Sequence, residues 1–457
     1  MFSKLTKGWF TGLLLFLPFQ LRIADSVEPW SKPVSAFIQY LDEITIVVFL
    51  LLAIIEFYRR RMVFERLYLI LSLPIIALSI SGLISGMING NPFLITSLGI
   101  FDYIKNFLVI FIFAIFFKEA DSFKTIFHPL LVLAVFLGIV AFVQELWALL
   151  SVYAFGNDIH YAENYFLRNL PPEIIEANAK DFWRLGIYRA PSFFHHPNGL
   201  GLYNLLILTI YLFTVKKVNP FIFLSLFTGV FVSVSRMIYL SFIFLAGSQI
   251  LKARRWLIIP TIPIMVLTFL MSFMPDFSIT DWLKKEEVKK EEVKKEEVKK
   301  EEVKKEDWVF RVYARGKAME VWKDHPLLGA GPGMFGGVVS IVFHSPLYEK
   351  YNFSQKWFEF MKPFRSLDQF WPQALAEIGV VGTLAFAGLI LAVILILYNL
   401  AQKWKGGEIG DLSTGLAIST VFLFIYSLGS GLNQTAFLFT YSAIVGMVLG
   451  YENYSDK

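Results

Sequence analysis

Long apolar stretches alternate with short polar ones along the whole chain. Twelve apolar runs are bounded by charged residues or by Pro and Gly, and most carry no charge near their middle. About 20 apolar residues are enough to cross the hydrocarbon core of a bilayer as an α-helix. The runs fall at 9–22, 43–58, 67–88, 102–117, 125–150, 198–215, 219–235, 237–252, 256–274, 371–400, 411–430 and 434–451. The pattern predicts an all-α polytopic membrane protein with about 12 transmembrane helices.

Two segments are too long to be simple connections between helices. One spans 151–197 and the other 275–370, and both are rich in aromatic residues. Long loops of this kind usually fold and carry function. We therefore expect three parts: residues 1–274 with helices 1–9 and the loop 151–197, a large and mostly helical outer segment 275–370, and residues 371–457 with helices 10–12.

A five-residue repeat, Lys-Lys-Glu-Glu-Val, fills residues 284–307. Five residues turn an α-helix by about 500°, so successive valines do not form an apolar stripe. Glu286 and Lys290 form an i,i+4 pair of the favourable polarity, as do their equivalents in later repeats. The repeat predicts a solvated single helix or a partly disordered spacer.

The composition excludes several classes of protein. Hydrophobic residues make up 56% of the chain and charged residues 17%, whereas soluble proteins average about 25% charged residues. This excludes a soluble enzyme, a disordered protein and a coiled coil, and the long apolar runs argue against an outer-membrane barrel. The chain has no cysteine, and no His, Asp or Glu spacing indicates a metal site, so we expect no cofactor.

The distribution of basic residues predicts an orientation. If the N-terminus is cytoplasmic, 16 Lys and Arg fall in inside segments and 8 in the short outside segments. Basic residues concentrate in cytoplasmic loops. The chain is therefore expected to cross the membrane with both termini in the cytoplasm and both long segments on the outer side. The net charge of +5 reflects this topology rather than nucleic-acid binding.

Three arginines are expected on the outer side of the membrane: Arg189 before the sixth run, Arg236 between the seventh and eighth, and Arg311 within the outer segment, where it opens the stretch that leads to residues 322–333. A guanidinium pairs bidentately with phosphate oxygens and stays charged, so three on one face could clamp a pyrophosphate. The alternative for each is an arginine that reaches the lipid headgroups. The glycine-rich run 329–333 lacks the Lys-Ser/Thr of a phosphate loop, which favours a tight turn.

Three residues are candidates for a general base. Asp368 falls where the outer segment re-enters the membrane, and a carboxylate near arginines can take a proton from an acceptor hydroxyl. Its alternative role is the N-cap of the following helix. His195 and His196 are alternative bases, and because adjacent side chains point in different directions we expect at most one to face a site.

In their order and spacing, four pieces of sequence resemble the O-antigen ligase and polymerase superfamily of bacterial membrane glycosyltransferases. The pieces are Arg189 with His196-Pro197-Asn198, Ser235-Arg236, Arg311 with Pro326 and the run 329–333, and Asp368 with Gln373 and Glu377-Ile378-Gly379. They cover about the second half of the chain. The first five helices are similar only in hydropathy.

The resemblance implies a metal-independent, inverting transfer of a glycan from undecaprenyl pyrophosphate on the periplasmic face of a bacterial inner (cytoplasmic) membrane. In ligases the acceptor is the sugar core of lipid A. It also implies that Arg189, Arg236 and Arg311 bind the pyrophosphate and stabilise the charge that grows on it. The ligases place a histidine, usually in a His-Asn pair, where this chain has Asp368-Gln369, and an acidic residue there is similar to some polymerases.

Four functions stay open on the sequence, the last being a structural or signalling membrane protein, which would have no cavity between the outer segment and the membrane. The first is an O-antigen ligase-like glycosyltransferase, and the second is a polymerase of the same superfamily that joins repeat units. The third is a lipid or polysaccharide transporter, which would carry charges in mid-membrane; here the candidates Glu56 and Glu145 lie near helix ends. The expected partners are an undecaprenyl-pyrophosphate-linked glycan, a lipid A-core or glycan acceptor and membrane lipids, without nucleic acid.

Overall fold

Most of the predicted helices are present. A computed structural model describes residues 2–59, 66–117, 120–155, 183–184, 187–194, 196–251, 312–353, 369–432 and 434–455. Within these residues, eleven of the twelve predicted apolar runs form helices. The ninth run, 256–274, and the repeat 284–307 lie outside the described residues.

The regular elements of the described residues are helices and one short β-ladder. The helices are α1 (Phe2–Val27), α2 (Lys32–Gln39), α3 (Leu41–Arg59), α4 (Arg66–Ile88), α5 (Phe93–Phe116), α6 (Ala120–Leu149), α7 (Pro197–Thr214), α8 (Pro220–Phe231), α9 (Arg236–Leu251), α10 (312–324), α11 (Val338–Val342), α12 (Leu347–Lys350), α13 (Phe370–Lys403), α14 (Glu408–Ser427) and α15 (Thr435–Ser455). Strand β1 (Trp183–Arg184) pairs with β2 (Ile187–Tyr188) in antiparallel register. Among the described elements, this ladder and the short helix α2 were not predicted, whereas α10, α11 and α12 lie in the outer segment that was expected to be mostly helical.

The bundle has the lengths and surfaces of a multi-pass membrane protein. Among the described helices, seven are long and apolar enough to cross a bilayer (α1, α4, α5, α6, α13, α14 and α15), and α2 with α3 forms an eighth if the pair, bent by 56°, is one span. Large apolar side chains such as Leu73 on α4 and Phe142 on α6 are exposed. A surface of this kind is stable against lipid rather than water. The count of about 12 spans stays a prediction.

Helix α7 forms the centre of the bundle. Every residue from Gly199 to Phe213 is buried, and the helix packs against α6, α8 and α14. A helix that is apolar on all sides is suited to such a position. Close packing elsewhere depends on small residues: a Cβ on Gly446 of α15 would lie 2.5 Å from the carbonyl oxygen of Ile110 on α5.

The helices share two ends because successive long helices run antiparallel. At one end, called here the Arg189 end, α1, α4, α6, α8 and α14 finish and α5, α7, α9, α13 and α15 begin. At the opposite end, Lys403 pairs with Glu452 at 2.6 Å and Lys124 with Glu408 at 2.9 Å. The described residues of the sequence pieces that carry the family resemblance fall at or next to the Arg189 end.

A second, smaller core forms at this end from the described part of the outer segment. Ala314, Ala318 and Val321 on one face of α10 pack against Phe335, Tyr348 and neighbouring residues. The cluster also includes Ala376 of α13. Helix α10 is therefore fixed beside the first turns of α13.

Candidate functional site

Arg189 is buried and joins three separate stretches of chain. It follows β2 and is 2% exposed. Its Nε donates to the carbonyl oxygen of Ser233 at 2.7 Å, and its Nη2 donates to Oδ1 of Asn198 at 2.8 Å. A buried cation needs polar partners of this kind. Because Ser233 lies three residues before Arg236, this guanidinium holds the predicted Arg189 and Arg236 segments together.

The turn between α8 and α9 is strained and presents Arg236 at the surface. Val234 has φ +42°, which is rare for a β-branched residue. Such a conformation persists only where neighbouring contacts impose it, and the bond from Arg189 to the Ser233 carbonyl is one of those contacts. Arg236 is the first residue of α9 and its side chain is exposed.

His196 caps the N-terminus of α7. Its Nδ1 accepts the backbone N–H of Asn198 at 3.1 Å. A neutral imidazole whose Nδ1 accepts a hydrogen bond carries its proton on Nε2. In this geometry the Nδ1 lone pair of His196 is engaged by the helix terminus, and the role of His196 as a base stays a prediction. The same Asn198 accepts from Arg189 through its side chain, so the cap and the arginine form one network.

Two adjacent residues near the end of α6, Gln144 and Glu145, form hydrogen bonds with the backbone of the Arg189 segment. Glu145 Oε1 accepts the backbone N–H of Tyr188 at 3.2 Å. Gln144 Oε1 accepts the N–H of Ser192 at 2.8 Å, and Gln144 Nε2 donates to the carbonyl oxygen of Ser192 at 3.2 Å. These contacts fix the backbone on both sides of Arg189.

An apolar groove runs down the bundle from this loop. It has a volume of about 460 Å³ and is lined by Leu15, Phe19, Pro129, Val132, Leu133 and Phe136 of α1 and α6. Phe193 closes its upper part, with ring centroids 5.0 Å from Phe19 and 6.0 Å from Phe136. Phe194 follows Phe193 in the chain, and its carbonyl oxygen accepts two hydrogen bonds from Arg22 of α1. The groove therefore meets the loop that carries Arg189.

The glycine-rich run 329–333 is a turn that pairs with a break in α13. Four backbone hydrogen bonds join the two stretches: Ala330 N to Ala376 O, Gly331 N to Glu377 O, Val380 N to Pro326 O and Val381 N to Leu327 O, at 2.8–3.0 Å. The helix breaks at Gly379, where φ is +59°. A Cβ there would overlap the backbone of Leu327 and Gly329. The turn thus supplies the partners that a broken membrane helix lacks, and the expected tight turn is confirmed.

Glu377 locks this pairing. The carboxylate is 1% exposed and accepts from the backbone N–H of Phe335 at 2.8 Å, from the hydroxyl of Tyr103 at 2.7 Å and from Gln373 Nε2 at 3.2 Å. Charge-assisted hydrogen bonds are the compensation that a buried carboxylate requires. Nearby, Tyr348 accepts the N–H of Gly336 at 2.8 Å, and burial raises the pKa of the Tyr348 hydroxyl.

The start of α13 lies beside the Arg236 turn. Trp371 Nε1 donates to Ser427 Oγ at the end of α14, at 3.0 Å. Two residues further on, a Cβ on Gly429 would lie 2.9 Å from the side chain of Met237, which follows Arg236. Contacts therefore run from the first turn of α13 to the first turn of α9. The N-cap of α13 is Gln369, which makes no side-chain cap hydrogen bond, so the N-cap role considered for Asp368 belongs to its neighbour.

The structure brings together part of the predicted site. Arg189, Arg236 and His196 meet in one hydrogen-bonded region at the Arg189 end. Asp368, His195 and Arg311 lie outside the described residues; Asp368 directly precedes Gln369 and Arg311 directly precedes α10. Among the described residues no group of three His, Cys, Asp or Glu side chains is placed to hold a metal ion.

Sequence reasoning missed the contribution of the first six helices. Gln144, Glu145 and Arg22 hold the Arg189 loop. Ser85 of α4 and two asparagines just after α4 hold the glycine turn: Ser85 Oγ and Asn89 Nδ2 donate to the carbonyl oxygen of Gly329 at 2.8 and 3.1 Å, and Asn91 Nδ2 donates to that of Ala330 at 2.8 Å. The available signal was the polar pair Gln-Glu that directly follows the uninterrupted apolar stretch 129–143 of α6. Hydropathy alone does not reveal which distant backbone such a pair contacts.

The matches to known proteins fall on the same region. The family model described as O-antigen ligase matches residues 221–387. That stretch begins in α8 and ends in α13, so it includes Arg236, the run 329–333 and Glu377. No curated protein matches the chain. The predicted resemblance to the O-antigen ligase superfamily is thus confirmed over residues 221–387, the stretch that the family model matches.

Proposed function

We propose that the protein transfers a glycan from undecaprenyl pyrophosphate to an acceptor hydroxyl at the Arg189 end of the bundle, and that this end faces the periplasm. The observation that supports it best is the network in which Arg189 fixes the Arg236 turn. The first turn of α13, which belongs to the matched stretch 221–387, lies at the same end. Lipid-linked glycans are the general class of substrate that the family implies.

The arginines have two roles: Arg189 positions the turn, and Arg236 contacts the pyrophosphate. Arg189 donates to Ser233 and Asn198, so it holds the turn and adds positive charge beneath it. Arg236 is exposed on that turn and reaches the pyrophosphate oxygens, together with Arg311, which precedes α10. A preorganised cation stabilises the charge that develops on a leaving group without reorganising during the reaction.

Asp368 is the proposed general base. The acceptor hydroxyl attacks the anomeric carbon of the donor sugar and gives its proton to the Asp368 carboxylate. The bond from that carbon to the pyrophosphate oxygen breaks, and undecaprenyl pyrophosphate leaves with its charge stabilised by the arginines. His196 also caps α7, and His195 and His196 keep the place of alternative bases.

The apolar groove is the proposed place for the polyprenyl chain. Its lining is entirely apolar, and an isoprenoid gains free energy with each buried CH₂ group. The groove ends beneath Phe193, four residues after Arg189. A lipid chain that enters between α1 and α6 therefore brings its pyrophosphate to the arginine network.

The ligase and polymerase reactions differ only in the acceptor. A lipid A-core acceptor gives a ligase, and a second lipid-linked repeat unit gives a polymerase. Asp368-Gln369, in place of the His-Asn pair of the ligases, favours the polymerase, whereas the description of the matched family favours the ligase. We rank the ligase first.

The deciding experiment supplies purified protein in lipid vesicles with lipid-linked glycan and one acceptor at a time. With lipid A core, a ligase yields one product larger by the donated glycan. With lipid-linked repeat units alone, a polymerase yields a ladder of increasing size. A chelator arm is expected to leave the rate unchanged. Movement of intact lipid-linked glycan across the vesicle, without a new glycosidic bond, would support a transporter and overturn the proposal.

A further inference from the structure

We propose that Gln144 and Glu145 are positioning residues that set the arginine network from outside the stretch that the family model matches. They hold the backbone of the Arg189 segment, and through Arg189 they set the Arg236 turn. The clamp itself rests on hydrogen bonds in the structure, and its effect on transfer rests on the proposed function.

The two side chains bracket Arg189 in the chain. Glu145 accepts from Tyr188, the residue before Arg189, and Gln144 bonds both backbone groups of Ser192, three residues after it. A glutamine side chain has one donor and one acceptor group, so it pairs with a backbone N–H and C=O as a neighbouring strand would. Neither contact extends to the arginine side chain, which stays available for Ser233 and Asn198.

The bracketed segment needs such support. Ser192 has φ +53°, a left-handed conformation that is uncommon outside glycine. Ser192 and Tyr188 are buried, so an unmade backbone hydrogen bond there would not be replaced by water without cost. A loop that follows a two-residue ladder has few backbone bonds of its own. The polar pair on α6 supplies the missing ones.

Gln144 and Glu145 lie outside the stretch of chain that the family model matches. Both residues lie on α6, well before residue 221, where the family match begins. Adjacent residues on a helix project about 100° apart, which lets one helix end reach two points of the loop. The catalytic geometry of the matched stretch thus depends on a helix that the family match does not include.

The test uses backbone amide exchange together with transfer kinetics on the full-length protein. We expect the peptide that contains Tyr188 and Ser192 to exchange about three- to ten-fold faster in Glu145→Ala and in Gln144→Ala. Glu145→Gln keeps an acceptor oxygen and is expected to retain wild-type exchange. The KM for the lipid-linked glycan is expected to rise about ten-fold in both Ala variants, with a smaller effect on kcat.

The matched control is Glu56→Ala on α3. Glu56 is 8% exposed, as is Glu145, but it pairs with Arg59 at 2.8 Å at the opposite end of the bundle. This variant is expected to leave both readouts unchanged. If Glu145→Ala does not fold, Gln144→Ala alone tests the same segment through Ser192.

The outcomes separate the two proposals. Unchanged exchange at Tyr188 and Ser192 would overturn the clamp whatever the kinetics show. Faster exchange with an unchanged KM would overturn its role in positioning. If the wild-type protein transfers no glycan, the proposed function fails, and the exchange measurement still decides whether the clamp exists.

Discussion

The Arg189 region and the Glu377 region are both buried polar networks in an apolar bundle. They differ in whether the network positions an exposed charged side chain. In the first, hydrogen bonds from Arg189 fix a strained turn whose next residue, Arg236, is exposed. In the second, Phe335, Tyr103 and Gln373 all donate to Glu377. One network holds a cation at the surface, whereas the other is closed on itself. The first is suited to bind a ligand and the second to hold the fold.

This difference divides the four sequence motifs of the family resemblance into two groups with different roles. The motif around Glu377-Ile378-Gly379 and the glycine run 329–333 contact each other, and together they repair a broken helix. The Arg189 and Ser235-Arg236 motifs also contact each other, but their contacts leave a charged side chain at the rim. A buried polar group therefore does not by itself indicate a functional site. A hydrogen-bond network indicates one when it positions an exposed charged side chain.

The largest expected effect is the loss of transfer in Arg236→Ala. If Arg236 stabilises the departing pyrophosphate, its removal lowers kcat/KM by about 10²- to 10³-fold. Arg236→Lys keeps the charge but loses the bidentate fork, so it is expected to recover part of the rate. Steady-state kinetics in vesicles measure both.

The melting temperature is the control for that variant, and it is expected to stay near the wild-type value because the side chain is exposed. Near wild-type kcat/KM in Arg236→Ala would contradict the contrast between the two regions. It would leave the Arg236 turn with a purely structural role.

The second effect is on stability, in the Glu377 region. Glu377→Ala leaves a backbone N–H, a hydroxyl and an amide without their acceptor in a buried site, which is expected to cost about 3 kcal/mol. Glu377→Gln keeps one acceptor oxygen and is expected to cost less. Thermal unfolding followed by tryptophan fluorescence measures the difference.

Glu349 provides the matched control, because it is an exposed glutamate on α12. Glu349→Ala is expected to melt with the wild type. If Glu377→Ala instead lost transfer at an unchanged melting temperature, Glu377 would belong to the chemistry and the division between the regions would fail.

Much of the helical framework could be predicted because it depends on local composition. The runs at 67–88 and 371–400 became α4 and α13 within a few residues, since an apolar stretch of that length favours a buried or lipid-facing helix in any context. The break at Gly379 was not predictable in the same way. Its stability depends on hydrogen bonds from a turn about fifty residues away, which no local pattern encodes.

The candidate site was predictable in residue type and only partly in role. Arginines at helix ends suggested phosphate binding, and the structure gives Arg189 and Arg236 a shared location. It also shows that Arg189 donates to protein oxygens and that His196 is a cap, because burial and the neighbouring backbone decide what a polar group contacts. Such contacts depend on the fold rather than on spacing.

The smallest expected effect is a pH dependence of the melting temperature, which we assign to the Glu377 region. His325 follows α10, and its pKa is lowered, first by burial and then by the nearby Lys350, against a smaller opposite effect of Asp324. The unfolded chain then binds the proton more readily, so stability from this group is complete above about pH 6.5 and falls as the pH drops below that value. The melting temperature is expected to fall between pH 7.5 and pH 5.5, and to fall less in His325→Gln. Because His325 precedes the turn that pairs with α13, this loss belongs to the Glu377 region. An identical pH dependence in the two proteins would show that His325 is not its source.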